Sequence, residues 1–266
     1  MGAAKAMAVY GIEEVSAKLA YEIGLLFFRV IKLEVTASGY YRYREDRADE
    51  DIDFIEVSRA KLKGKIEAGR ATSFRLYCTS ESSNLWDASF GYTTNDFGGF
   101  YHFDAQCLDQ HFGKDKFLEF VEKLGELSEF RYAIFYSVDD VSEGFYYAGG
   151  ENLSSVYDYE NPILFNKETG GRFKGAERYK DKMLRMVYPL NVINEEHLNL
   201  QVGDGKLQDW ILSEERRGLL KPSLNRMWVW EVKEENLEYV NAELGAAGLL
   251  IAWKPLRSAK KSKLTF

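Results

Sequence analysis

Hydrophobic positions along the 266-residue chain alternate between a helical and a strand period. Ile12, Val15, Leu19 and Ile23 recur at helical spacing and predict a helix over residues 12–23. Leu25 to Val35 is a strongly apolar run and reads as the first strand. Ile55, Ala60, Leu62 and Ile66 predict a second helix, through Ala68 and broken by Gly69. Thr72 to Cys78 then alternates, with Phe74, Leu76 and Cys78 on one face. Leu85 to Tyr92 and Gly98 to Asp104 continue as strands around the turn Thr94-Asn95-Asp96, so an antiparallel meander is expected. Lys114 to Leu127 is a helix by pattern, with Phe117, Phe120, Val121, Leu124 and Leu127 inward, and Phe130 to Val138 a buried strand.

The second half repeats the alternation. An apolar run from Met183 to Val192 contains the turn Tyr188-Pro189-Leu190-Asn191. Leu207 to Leu212 is a short amphipathic piece, and Met227 to Val232 alternates as a strand. Trp210 and Trp230 are placed inward. Glu234 to Gly245 reads as a helix with Leu237, Val240 and Leu244 on one face, and Leu249 to Trp253 as a returning buried strand. Leu118-Glu119-Phe120-Val121 before Tyr132 to Phe135 echoes Leu237-Glu238-Tyr239-Val240 before Leu249 to Ala252, either by chance or by duplication. The pattern predicts an α+β fold of antiparallel or mixed sheets with packed helices, as one unit or as two similar sub-domains. Residues 1–148 form the first half, 149–176 a linker or long loop, and 177–266 the second half.

Composition narrows the class. At 45% hydrophobic and 15% aromatic, with four prolines, the chain has material for a real core. The net charge of −7 argues against direct nucleic-acid binding and for a basic protein partner, beside the simpler role of keeping the chain soluble. Cys78 and Cys107 are expected as reduced, buried thiols in a cytoplasmic protein. No apolar window reaches membrane-spanning length, and Glu13, Glu14 and Lys18 interrupt any signal-type segment.

Candidate chemistry is sparse. His102-x-Asp104 shares a strand face, but no third ligand follows at metal-binding spacing. Glu231-x-Lys233, after Asp204 and Asp209, has the spacing of a restriction-type nuclease, in which carboxylates hold Mg²⁺. The chain lacks the basic surface such an enzyme needs. No nucleophile elbow or phosphate loop occurs. No catalytic residue, metal or cofactor is therefore expected.

One resemblance gives a function. Tyr188-Pro189-Leu190-Asn191, His197-Leu198, Leu207-x-x-Trp210-Ile211, Gly218-x-Leu220, Trp228-x-Trp230 and Leu244-x-x-Ala247-Gly248 resemble the immunity protein 52 family. The match covers the last third of the chain and, in element order only, Leu25 to Val138. The resemblance implies a non-enzymatic inhibitor of a cognate toxin, typically a nuclease effector of a bacterial type VI secretion system. It brings no catalytic residues with it. A nuclease toxin presents positive charge, so carboxylates are the candidate contacts. Asp46, Asp49, Glu50, Asp51 and Asp53 lie in a segment with six carboxylates and one arginine between Glu45 and Asp53. Asp139, Asp140 and Glu143 form a second group, and Phe145, Tyr146, Tyr147, Tyr157 and Tyr159 are candidate anchors. The alternatives are a metal-dependent nuclease built on Asp209, Glu231 and Lys233, or a secretion adaptor.

Overall fold

The computed structural model describes residues 4–44, 52–79, 86–97, 99–169 and 177–254. The strands are β1 (Ala4–Tyr10), β2 (Ala37–Tyr43), β3 (Ile52–Val57), β4 (Phe74–Cys78), β5 (Ala88–Thr93), β6 (His102–Leu108), β7 (Tyr132–Val138), β8 (Leu190–Asn194), β9 (Gln201–Val202), β10 (Gly205–Lys206), β11 (Leu219–Pro222) and β12 (Met227–Glu231). The helices are α1 (Ala17–Ile31), α2 (Arg59–Glu67), α3 (Lys114–Leu127), α4 (Val141–Gly149), α5 (Pro162–Asn166), α6 (Glu195–Leu198), α7 (Leu207–Leu212) and α8 (Leu237–Ala246). Among the described residues, ten strands form one sheet in the order β11-β12-β8-β7-β1-β6-β5-β4-β2-β3, and every pairing in it is antiparallel. The fold is α+β, and β4-β5-β6 is the expected meander. β7 of the first half bonds directly to β8 of the second, so one sheet spans both.

Alternation within each strand divides the core in two. Met7, Val9, Phe74, Leu76, Phe90, Phe103 and Phe135 face α1, α2 and α3. Tyr10, Tyr132, Ile134, Tyr136, Ile193 and Trp230 face the opposite layer, built from α4, α7, α8 and the segments between them. In that layer Glu160 and Phe165 are buried within the stretch 150–169. No helix among the described residues is long and apolar enough to cross a membrane.

Several sequence readings are corrected. The run from Leu25 belongs to α1, which continues to Ile31. Ser16 caps that helix by accepting from the Leu19 N–H at 3.2 Å, and Lys32 closes it in the left-handed region. From Leu25 to Ile31 only Arg29 is exposed, so the helical period is hard to read in that stretch. A Cβ at Gly24 would lie 2.8 Å from both Leu76 and Phe90, so the helix crosses the sheet at close range. The first strand is instead β1, in the sheet's interior. Its alanines carry little strand propensity, but they leave room for α4: a Cβ at Gly144 would come within 2.8 Å of the Ala6 Cβ. Finally, Leu249 to Trp253 is buried but joins no sheet. It lies between two loops, with Ile251 N–H donating to Leu184 O at 2.9 Å and Asn161 N–H to Ala252 O at 2.6 Å. The echo of α3 and β7 therefore stops at the helix. Leu127, expected inward, is 48% exposed.

Trp230 is fully buried and donates from Nε1 to Arg217 O at 2.8 Å, whereas Trp210 is half-buried beneath the Arg217 guanidinium. Trp230→Ala is expected to cost about 3–5 kcal/mol, and Trp210→Ala distinctly less. Urea unfolding of the two variants checks the order. Equal losses would show that Trp210 is as much a part of the core as Trp230.

Candidate partner-binding surface

The strands end in a common rim, and acidic residues gather there. β1 stops at Gly11, whose φ of 76° and close approach to the Arg131 side chain suit a residue without a Cβ. Glu13 and Glu14 follow, both exposed. Glu129 precedes β7, and Arg131 N–H returns to Tyr10 O at 3.0 Å. β8 runs into Asn194, which caps α6 by accepting from the His197 N–H at 2.9 Å and leaves Glu195 and Glu196 exposed in the first turn. Asn225 and Arg226, both at positive φ, turn the chain into β12.

These ends enclose a cleft of about 470 Å³ lined by Glu13, Glu14, Glu129, Arg131, Glu195, Glu196 and Arg226 among others. A second cleft of about 390 Å³ shares Glu13 and extends past Tyr101 to Asn95. Together they form a trough under the ends of β5, β6, β1, β7, β8 and β12, roughly 24 Å across five inter-strand spacings of ~4.8 Å. Its cations are already engaged. Arg226 pairs with Glu195 at 2.5 Å, Arg131 with Asp181 at 3.3 Å, and Lys180 lies between Glu13 and Glu177. Among the described residues, no cation is within ion-pair distance of Glu14, Glu129 or Glu196. The trough is therefore negative and open to solvent.

The carboxylates singled out from sequence do not form one surface. Asp46, Asp49, Glu50 and Asp51 lie outside the described residues. Asp53, on β3, is half-buried and accepts from Arg44 Nε at 3.0 Å. Asp139, Asp140 and Glu143 lie at the other end of the sheet, beyond Val138, which faces Ala4 at the start of β1. There they shape the chain: Asp140 caps α4 by accepting from Ser142 N–H at 2.8 Å, and Glu143 accepts from Asp139 N–H at 3.2 Å. Asp53 and Asp139 are also six strands apart across the sheet, roughly 29 Å. Among the aromatic candidates, Tyr147 is buried with its hydroxyl on Glu160, at 2.8 Å from Oε1. Tyr157 and Tyr159 stack at 5.0 Å against the second core. Phe145 covers Arg75 at 4.1 Å. Sequence reading missed the trough because its carboxylates come from segments far apart in the chain. The doublets Glu13-Glu14 and Glu195-Glu196 at element ends are the one local sign of it.

Of the residues considered for catalysis, Glu231 is paired with Lys114, whereas Asp209 is exposed in the first turn of α7. His102 is buried, bonded through Nδ1 to Phe100 O at 2.9 Å, with Nε2 at 4.0 Å from Asp104. Asp104 receives the Arg75 guanidinium, with Nη1 at 3.0 Å, and Gln106 Nε2 at 2.8 Å. Gly91 leaves the space that this pair fills, since a Cβ there would collide with both partners. His197 is buried and bonded through Nε2 to Tyr179 O at 3.1 Å. Among the described residues, no three His, Cys, Asp or Glu side chains are grouped to hold a metal ion.

No protein-family model matches the chain, and no curated protein matches it. Among solved structures, the Pseudomonas aeruginosa T6SS protein PA0821 resembles it with a TM-score of 0.56, over 97% of this chain and 78% of that one, at 10% identity. The likeness is one of fold. The resemblance to the immunity protein 52 family rests on the quoted residues.

Burial of His197 pushes its imidazole down to about 4 from an ordinary 6.5. The folded state thus holds it neutral where the unfolded chain would protonate. That stability is fully present above pH 6.5 and is lost as the pH falls towards 4, to a limit of about 3 kcal/mol. Burial shifts His102 in the same direction. His197→Gln is expected to flatten the fall in melting temperature between about pH 6.5 and 4. An unchanged acid limb would show that His197 is protonated in the fold.

Proposed function

We propose that this chain is a T6SS-associated immunity protein, which neutralises a cognate toxin by seating a basic segment of it in the acidic trough. The carrying observation is the trough itself, in which Glu14, Glu129 and Glu196 are exposed and, among the described residues, have no cation in reach. A toxin that cuts nucleic acid must present positive charge where the phosphates lie. An inhibitor with opposite charge is steered to that face and competes for it. Support for the secretion-system setting comes from the fold shared with the Pseudomonas aeruginosa T6SS protein. Support for the immunity role comes from the motifs of the second half. In this reading the protein acts by contact and carries out no reaction, in keeping with the pairing of Glu231 to Lys114.

Co-expression with the product of the neighbouring gene is the direct test, scored by growth rescue and co-purification. Reversing Glu14 and Glu129 to Lys is expected to slow association ~10-fold at low salt. That loss should shrink as added salt screens the field. Equal on-rates for wild type and the double variant at low salt would remove the trough from the interface. Glu231→Ala with Lys233→Ala should still protect cells, provided its melting curve shows a folded protein. Loss of protection by that folded variant would revive the enzymatic alternative.

A further inference from the structure

The sheet face opposite α1, α2 and α3 is covered unevenly. α4, α7, α8 and their connecting segments pack over β1, β6, β7, β8 and β12. Towards the other edge, the same face carries a continuous run of six aromatic rings. Their centroids follow at 5.1 Å from Trp86 to Tyr77, 5.9 Å to Phe54, 5.1 Å to Tyr41, 6.2 Å to Phe97 and 5.1 Å to Tyr43. None is fully buried, and Tyr43 and its register partner Ile52 are 48% and 40% exposed. Exposed aromatic area of this kind marks a binding surface.

The run ends on a sheet edge. Tyr41 N–H donates to Ser73 O beside β4 at 3.1 Å. Main-chain groups alternate sides along an antiparallel strand, so Tyr40 and Arg42 address β3 through their register partners Ile55 and Asp53. The N–H and C=O groups of Ile52, Phe54 and Glu56 consequently point away from the sheet. Among the described residues no further strand pairs there. The opposite edge, β11, is blunted by Lys221 and Pro222. β3, of sequence Ile-Asp-Phe-Ile-Glu-Val, has neither protection.

Charge selects the occupant. Asp53 is already paired with Arg44, so the charge an added strand meets is Glu56, exposed on the aromatic side and facing Gly39. Cations gain both from carboxylates and from the faces of aromatic rings. Pairing with a second copy through β3 would instead set the carboxylates of both chains along one seam, with no basic residue on either strand.

We propose that β3 is a docking edge for an extended segment of a partner protein, which adds as a further strand and lays alternate Arg or Lys side chains over Phe54 and beside Glu56. Main-chain hydrogen bonds to Phe54 and Glu56 supply affinity, and the ring run with its acidic neighbour selects the cations. This surface is distinct from the trough and does not depend on the proposed immunity role, so the two are tested separately.

The probe is an acetylated, amidated peptide of about eight residues alternating Arg with Val, compared with one alternating Glu with Val. Amide exchange of the full chain is followed by nuclear magnetic resonance. The Arg peptide is expected to slow exchange at Phe54 and Glu56 ~10-fold, and the Glu peptide not at all. Glu56→Pro removes an outward N–H without touching the β2 pairing. With its melting temperature retained, it should weaken the Arg peptide ~10-fold. Glu56→Arg, which keeps the N–H, should weaken it through charge alone. No slowing by the Arg peptide, equal slowing by both peptides, or unchanged binding to the folded variants would overturn the proposal. So would a concentration-dependent dimer that protects these amides without peptide.

Discussion

The contact of Gly144 with Ala6 and Gln106 sets how close the second layer lies on the sheet. A methyl group on Gly144 would push α4 away, and larger residues at Ala6 or Ala8 would do the same from below. α4 lies over polar groups of the sheet, and these groups pair with one another. The Arg75–Asp104 pair is sealed under Phe145, with Ser89 and Gln106 adding bonds to it. Arg185 lies between the rings of Tyr147 and Phe165, at 3.5 and 3.9 Å, beside Glu160. Removing one partner from such a pair leaves a charge with nowhere to go, which costs far more than the pair itself contributes.

This arrangement explains which parts of the fold were legible beforehand. α3, α7 and α8 each have one apolar face and one wet face, so the period is written in the residues. β1 is buried on both faces, and from Leu25 to Ile31 α1 leaves only Arg29 exposed. That stretch carries too little polar pattern to show its period, and it read as a strand. In β1 the need for small residues under α4 replaced the β-branched ones that announce a strand. Leu249 to Ala252 looked like a strand because it is apolar and buried, but its backbone bonds go to loops. Apolar content reported burial correctly, while the pairing partner was decided by tertiary context.

The trough was illegible for a different reason. Asp139, Asp140 and Glu143 stand close together in the chain, and that closeness reflects a β-strand handing over to a capped helix. Glu14, Glu129 and Glu196 stand far apart and meet because antiparallel strands bring alternate connections to one rim. A sequence window sees local charge density, whereas a surface is defined by topology. The aromatic half-face followed the same logic. Tyr41, Phe54, Tyr77 and Trp86 come from separate segments, and only the register aligns their rings.

The position of β1 has a consequence for synthesis. The N-terminal strand is an interior strand of the sheet, hydrogen-bonded on both sides, with Tyr10 facing His102 in β6 and Tyr132 in β7. A chain leaving the ribosome exposes β1 before β6 and β7 and must hold it unpaired until both partners have been translated. At translation rates of about 5–20 residues per second, that is a wait on the order of ten seconds. The alanine-rich composition of β1 makes it a poor template for mispairing during that interval. The residues that let α4 approach in the finished protein thus also keep the nascent chain from sticking to its neighbours.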